Sequence, residues 1–263
     1  VQKILDGRIV GYDDSGGGGV PLVLIHGFGY DRRVWDPVVT LLPAIRTIQI
    51  DLRGCGESAR GEGPALMEAL AGDVAALLDA LGIDRAVIAG HSLGGFVAFA
   101  YFRMYSERVA GLGILASSAR SDSPEAAVRR EAFATRLETD GSMASAAAFA
   151  HNLVAPAIVA ERPEVLAQTV AMLERQDALG AAQLLRGIQV RVGSEDLFAD
   201  IAVPTLVVYG TADASMTSDV VRELADGIAD ARVVALDGVG HTLPLEAPRP
   251  VAEALAALVA SAS

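Results

Sequence analysis

Six short, almost unbroken aliphatic runs set the tightest limit on what this chain can fold into. They stand at residues 21–27 (PLVLIHG), 46–51 (RTIQID), 85–90 (RAVIAG), 109–116 (VAGLGILA), 204–210 (PTLVVYG) and 232–236 (RVVAL). A strand with one wet face alternates apolar and polar residues. A run that is apolar at nearly every position fits a strand buried on both faces, as in a parallel sheet. Helical segments fall between the runs. Pro64 suits the first turn of a helix reaching Leu81, with Gly82 as its stop. A second helix runs from Ser92 to about Tyr105, and a third from Leu245 to Ala260 closes the sequence. This βαβ alternation predicts an α/β fold with a doubly wound, mostly parallel sheet. Residues 2–10 and the glycines at 16–19 read as an N-terminal hairpin region. The glycines form a turn rather than a phosphate loop, because no helix follows them directly.

The alternation breaks between residues 118 and 201. Ser123-Pro124 opens a helix that Gly141 ends, and Arg162-Pro163 opens another running towards Leu179. A single crossover needs only about a dozen residues or more. This stretch is therefore read as a helical lid inserted into a core made of residues 1–117 and 202–263. The alternative is a set of ordinary crossover helices.

Of the 263 residues, 52% are hydrophobic and 21% charged, enough to bury a sizeable core. The net charge of −12 argues against nucleic acid and anionic membranes as main partners. No apolar run is long enough for a transmembrane helix. The first residues hold no signal core, although a leader could have been removed. Cys55 is the sole cysteine, so no intrachain disulfide can form, and the cytoplasm is the simplest compartment.

The chemistry centres on Gly90-His91-Ser92-Leu93-Gly94, a G-x-S-x-G pattern between a buried strand and a helix. A sharp strand-to-helix turn pushes the serine out of the backbone path, and flanking glycines avoid clashes. The rival reading is a structural turn. A serine hydroxyl needs a base. Of four histidines, His91 adjoins the serine in the strained turn, His26 shapes its own loop, and His151 lies in the insertion. His241 follows the last strand in a glycine-rich loop, where an open α/β sheet builds its site. The acid that orients the imidazole is read as Asp213, just past the strand at 204–210. Asp219 and Asp237 are weaker rivals, and Asp122 is the serious one. Acyl transfer also needs two backbone N–H groups for the oxyanion, assigned to Leu93 and Phe28. Cys55 is not at the turn and is set aside as nucleophile. Trp35 is read as a packing residue.

Several segments together resemble the α/β-hydrolase fold family. They are His26-Gly27-Phe28-Gly29 with Trp35, Asp51-Leu52-Arg53-Gly54-Cys55-Gly56-Glu57-Ser58, Gly90-His91-Ser92-Leu93-Gly94-Gly95, Gly210-Thr211-Ala212-Asp213, and Gly240-His241 followed by Glu246-Ala247-Pro248. The chain is most similar to bacterial esterase, lactonase and perhydrolase-like members with a helical cap. The chain order Ser92, Asp213, His241 is that family's order. Members with aspartate at the turn, dehalogenases and epoxide hydrolases, are disfavoured by Ser92. One departure is Ala214-Ser215-Met216-Thr217 where the family often has a proline after the acid. The resemblance implies a serine hydrolase acting on a small, partly apolar ester or lactone through an acyl-enzyme. It implies no metal and no organic cofactor. The alternatives are a carbon–carbon bond hydrolase or perhydrolase of the same fold, and a slow-turnover ligand receptor that keeps the triad.

Overall fold

The computed structural model describes residues 1–5 and 7–262. Its strands are β1 (Gln2–Leu5), β2 (Arg8–Asp14), β3 (Leu22–Ile25), β4 (Thr47–Ile50), β5 (Ala86–His91), β6 (Val109–Leu115), β7 (Thr205–Gly210) and β8 (Arg232–Leu236). They form one eight-stranded sheet in the order β1-β2-β4-β3-β5-β6-β7-β8. β2 pairs antiparallel with β1 and with β4, and every pairing from β4 to β8 is parallel. The parallel strands are the six aliphatic runs, so the doubly wound reading holds.

In chain order the α-helices are α1 (Asp36–Val39), α2 (Met67–Ala80), α3 (Leu93–Tyr105), α4 (Pro124–Asp140), α5 (Ala144–Ala148), α6 (Pro156–Glu161), α7 (Pro163–Glu174), α8 (Ala178–Gln189), α9 (Ser218–Gly227), α10 (Leu243–Glu246) and α11 (Pro248–Ser261). The strand period of two divides the core between the sheet's faces. Val23 and Ile25 pack with Leu70 and Val74 of α2 and Val97 of α3. Leu22 and Leu24 pack with Val38 of α1 and Val251 and Leu255 of α11. Each such side chain is fully buried, and its burial contributes roughly 1.5–3 kcal/mol.

After β3 the chain passes to β4 on one side, and later returns to β5 on the other. The loops that follow β3 and β5 therefore flank the point where the winding reverses, the usual ligand crevice of an open α/β sheet. They carry Phe28 and Ser92.

α4 to α8 all fall between β6 and β7. Small residues let α4 and α8 approach: Ala134, Leu137, Ala181, Ala182 and Leu185 share one cluster, with Phe28 of the core packed against it. Arg186 of α8 ties α4 further, through Glu131 at 2.9 Å and Glu138 at 2.5 Å. Asp31, after β3, anchors α7's end by accepting from Arg175 Nε at 2.9 Å and Gln176 Nε2 at 3.0 Å.

Three helix boundaries differ from the sequence reading, each for a visible reason. α2 starts at Met67 rather than near Pro64, because Ala65 N–H donates to Gln183 O of α8 at 2.9 Å. The segment toward Leu179 is two helices, not one. Gln176 turns inward to Asp31, and Asp177 caps α8 by accepting from Gly180 N–H at 2.7 Å. The closing helix is split into α10 and α11 at Ala247, whose φ of −140° suits the residue before a proline.

Candidate active site

Ser92 joins β5 to α3 with φ 53° and ψ −114°. A non-glycine residue held there costs about 1–3 kcal/mol, so its surroundings must enforce it. Ser92 N–H donates to Leu115 O at 2.8 Å, and its carbonyl accepts from Gly95 N–H at 2.9 Å and Ser117 Oγ at 2.7 Å. A Cβ on Gly90 would strike the backbone of Gly94, and one on Gly94 the carbonyl of Ile25. The turn closes only because both are glycine.

The structure brings Ser92, His241 and Asp213 together. His241 Nε2 lies 3.0 Å from Ser92 Oγ, and His241 Nδ1 lies 2.7 Å from Asp213 Oδ2. Asp213 is 8% exposed. Burial pushes its carboxyl up, but the bonds from His241 and Ser215 outweigh that and hold it below its ordinary value. Ser215, in the segment that departs from the family pattern, donates both its N–H (2.9 Å) and its hydroxyl (2.7 Å) to Asp213 Oδ1. The rival Asp122 is engaged elsewhere, with Arg130 Nε and Arg191 Nη1 both at 2.6 Å. Asp219 accepts from Arg120 at 3.0 Å, and Asp237 from Thr211 at 3.1 Å.

The other histidines take separate places. His26 is fully buried; its Nδ1 bonds Gly27 O at 2.8 Å, while its Nε2 accepts from Leu52 N–H at 3.0 Å. It shapes its loop, as the sequence implies. His91 is buried behind the site and donates from Nε2 to His241 O at 2.7 Å. Burial first, and the neighbouring His241 ring next, pull its pKa down to about 3. A neutral ring is therefore what holds the backbone of His241. His151 lies in a short 3₁₀ turn of the insertion. Cys55 is buried, and burial raises its thiol pKa well above normal. Trp35 is fully buried in the core.

One residue at the site eluded the sequence reading. Glu246 is 2% exposed, and its carboxylate accepts from three N–H groups: Gly240 at 2.8 Å, Thr242 at 2.9 Å and Ala155 at 2.9 Å. Gly240 and Thr242 flank His241, and Ala155 belongs to the insertion. Leu153 O reinforces the link by accepting from His241 N–H at 2.8 Å and Thr242 N–H at 3.2 Å. The three donors that meet the Glu246 carboxylate are all backbone N–H groups. The only sequence signal was its place in the Glu246-Ala247-Pro248 segment.

Ser92 and His241 open onto a cavity of about 440 Å³ between the sheet and the insertion. Phe28, Leu93, Phe133, Phe149 and Leu173 give it apolar walls, and Arg130 and Arg191 also line it. Among the described residues, neither Phe28 N–H nor Leu93 N–H donates to an acceptor in the chain. Leu93 is the first residue of α3, where such N–H groups lack intrahelical partners. No cluster of three or more His, Cys, Asp or Glu that could hold a metal occurs among the described residues. No helix among them is long and apolar enough to cross a membrane.

This arrangement has relatives. A thermophilic esterase from Thermogutta terrifontis superposes with a TM-score of 0.94 at 33% identity, over 100% of this chain and 98% of that one. The enol-lactonase from Burkholderia xenovorans LB400 gives 0.90 at 30% identity, over 99% and 100%. A protein of Azorhizobium caulinodans, named provisionally as the carbamate hydrolase RutD, is 30% identical over 246 residues, 90% of each chain. The model of the alpha/beta hydrolase family matches residues 22–254. The chain is thus a hydrolase that belongs to the alpha/beta hydrolase family.

Proposed function

We propose that the protein cleaves carboxylic esters or lactones through an acyl-enzyme formed on Ser92. One observation carries the reading: an unbroken hydrogen-bonded line from Ser92 Oγ through His241 to Asp213, with spacings of 3.0 and 2.7 Å, on the wall of a largely apolar cavity. The esterase and enol-lactonase relatives support it.

In this reading His241 Nε2 takes the proton from Ser92 Oγ as the oxygen bonds to the carbonyl carbon. The carbonyl electron pair moves onto oxygen, facing the N–H groups of Phe28 and Leu93. Each such donor is worth roughly 3–4 kcal/mol at the transition state. As the carbonyl re-forms, the carbon–oxygen bond to the alcohol breaks, and His241 gives the departing oxygen its proton. With a lactone the alcohol stays tethered to the acyl group. Water, deprotonated by His241, then repeats the attack and frees Ser92. Asp213 fixes the imidazole with Nδ1–H toward the carboxylate and stabilises its cationic form. Residues 118–201 act as a lid that keeps bulk water from the acyl-enzyme.

A fluorophosphonate probe should label Ser92, and Ser92→Ala should lose both labelling and about 10⁶ in turnover of p-nitrophenyl esters. Near-normal turnover by that variant would overturn the mechanism. Labelling with no ester turnover would favour the carbon–carbon hydrolase. Ligand-induced melting shifts with almost no turnover would favour the receptor.

A further inference from the structure

The cavity that holds Ser92 has largely apolar walls, and Arg130 and Arg191 are the two guanidiniums among its lining. Among the described residues no carboxylate lines it, although the chain as a whole carries a net charge of −12. Asp122 accepts from Arg130 Nε at 2.6 Å and Nη2 at 3.1 Å, and from Arg191 Nη1 at 2.6 Å. Asp122 is the one carboxylate bonded to the two guanidiniums, and Glu195 acts on Arg191 through space.

Two donors are also spare. Arg191 Nε is buried with no acceptor. Arg130 Nη1 has no partner among the described residues. The Arg191 guanidinium is held rigidly. Its Nη1 also donates to Ile188 O at 2.9 Å, its Nη2 to Arg120 O at 2.7 Å, and its carbon sits 3.9 Å over the Phe96 ring. Phe96 lies four residues beyond Ser92 in chain order, about one helical turn or ~6 Å along α3. A fixed cation thus stands a short way from the nucleophile.

A neutral acyl chain gains nothing from these two groups. Burying a charge with an unmet donor is costly, and a hydrophobic wall of the same shape would serve an apolar substrate as well or better. A single anionic group in the cavity meets the free donor of Arg130 and lies in the field of both guanidiniums.

We propose that Arg130 and Arg191 form an anion subsite, and that the substrate is an ester or lactone bearing a free carboxylate a few carbons from the scissile carbonyl. The inference rests on the ester-cleaving role of Ser92 proposed above, and its test separates the two.

The test compares p-nitrophenyl hydrogen glutarate with p-nitrophenyl pentanoate, acyl chains of one length that differ in the terminal carboxylate. A charge-assisted bond predicts kcat/KM about 10–100-fold higher for the glutarate ester, expressed mainly in KM. Arg130→Met should collapse that ratio towards one. So should the double variant Asp122→Asn with Arg191→Gln, which leaves no unpaired carboxylate behind. Equal or faster hydrolysis of the pentanoate by the unmodified protein, or a ratio unmoved by both variants, overturns the subsite. A binding arm uses Ser92→Ala protein and calorimetry with monomethyl glutarate against methyl pentanoate. Tighter binding of the glutarate, lost in Arg130→Met, supports the subsite even if no ester is turned over and the probe labels nothing. In that case the ester-cleaving role of Ser92 alone fails. No preference in binding overturns the subsite whatever the kinetics show.

Discussion

Replacing Glu246 by glutamine changes one oxygen for an NH₂ group, and its consequences can be worked out bond by bond. Oε2 accepts from Ala155 and Gly240, and Oε1 from Thr242. A glutamine oxygen can take over the first pair, which turns its NH₂ toward Thr242 N–H. Two donors then face each other in a site that is 2% exposed. The unmet donor costs about 1–3 kcal/mol, and the two surviving bonds lose their charge assistance. Relief acts in the opposite direction. Burial already pushes the Glu246 carboxyl above its ordinary value despite the three donors, so a neutral group removes a desolvation cost. The net expectation is a loss of about 2 kcal/mol, or roughly 4–8 °C in Tm for a chain of this size. Activity should suffer more. Gly240 and Thr242 hold His241 on either side, and displacing a catalytic group by about 1 Å can cost about 10²-fold. The assay is kcat/KM, together with the rate of fluorophosphonate labelling, measured well below the variant's Tm so that unfolding does not contribute. A tenfold or greater fall in labelling rate by a fully folded Glu246→Gln protein is the expected result. Unmodified Tm and labelling would refute the claim that this carboxylate positions the base.

Asp213→Asn should lower kcat by about 10⁴ while leaving the fold intact, because an amide favours the wrong imidazole tautomer; steady-state kinetics and a melting curve on the same sample check both halves. Gly27→Ala would put a Cβ 2.8 Å from His91 Nδ1 and 3.2 Å from Ser92 Cβ. Overpacking there should cost about 1–3 kcal/mol and slow labelling, and an unchanged denaturation midpoint would contradict it. His91 also predicts an acid limb in stability. Its pKa falls from 6.5 to about 3 on folding. The stability it contributes is therefore complete above pH 6.5 and is lost as pH falls towards 3, where the unfolded chain takes up a proton the folded one refuses. Each pH unit inside that window removes about 1.4 kcal/mol. Urea midpoints across it should fall less steeply for His91→Gln, and identical slopes would show that His91 is not the group responsible.

The fold was legible where one physical signal had no competitor. Every position of β3, β5 and β6 is buried, which is what an unbroken aliphatic run encodes. α4 starts and stops where the sequence places it, because local chemistry decides both ends: Ser123 Oγ accepts from Ala126 N–H at 3.2 Å, and Gly141 takes φ 60°. Pro64 misled for the opposite reason. Its signal is local, but the neighbouring Ala65 N–H is claimed by Gln183, more than a hundred residues away. The site divides in the same manner. Ser92, Asp213 and His241 could be singled out because each follows the end of a parallel strand. Asp213 and its rival Asp122 both follow strands; the structure sets Asp213 against His241 and pairs Asp122 with Arg130 and Arg191. Glu246 was hidden because its partners are N–H groups that every residue but proline carries.

The hydrogen bonds around Glu246 and Leu153 also bear on what the inserted helices do. A segment that merely covered a cavity could be lifted away and leave His241 in place. Here Leu153 O and Ala155 N–H are two of the fixtures that hold the loop around His241, and Arg162 of the same segment donates to Glu246 O at 2.5 Å. Displacing residues 153–155 would strip His241 N–H of its acceptor and leave Glu246 with one donor fewer, in a site too buried for water to replace them cheaply. Residues between β6 and β7 thus help hold the loop around His241 and also form part of the cavity's wall. Phe133 and Phe149, also between β6 and β7, border both the main cavity and a second one, and Phe149 is 58% exposed.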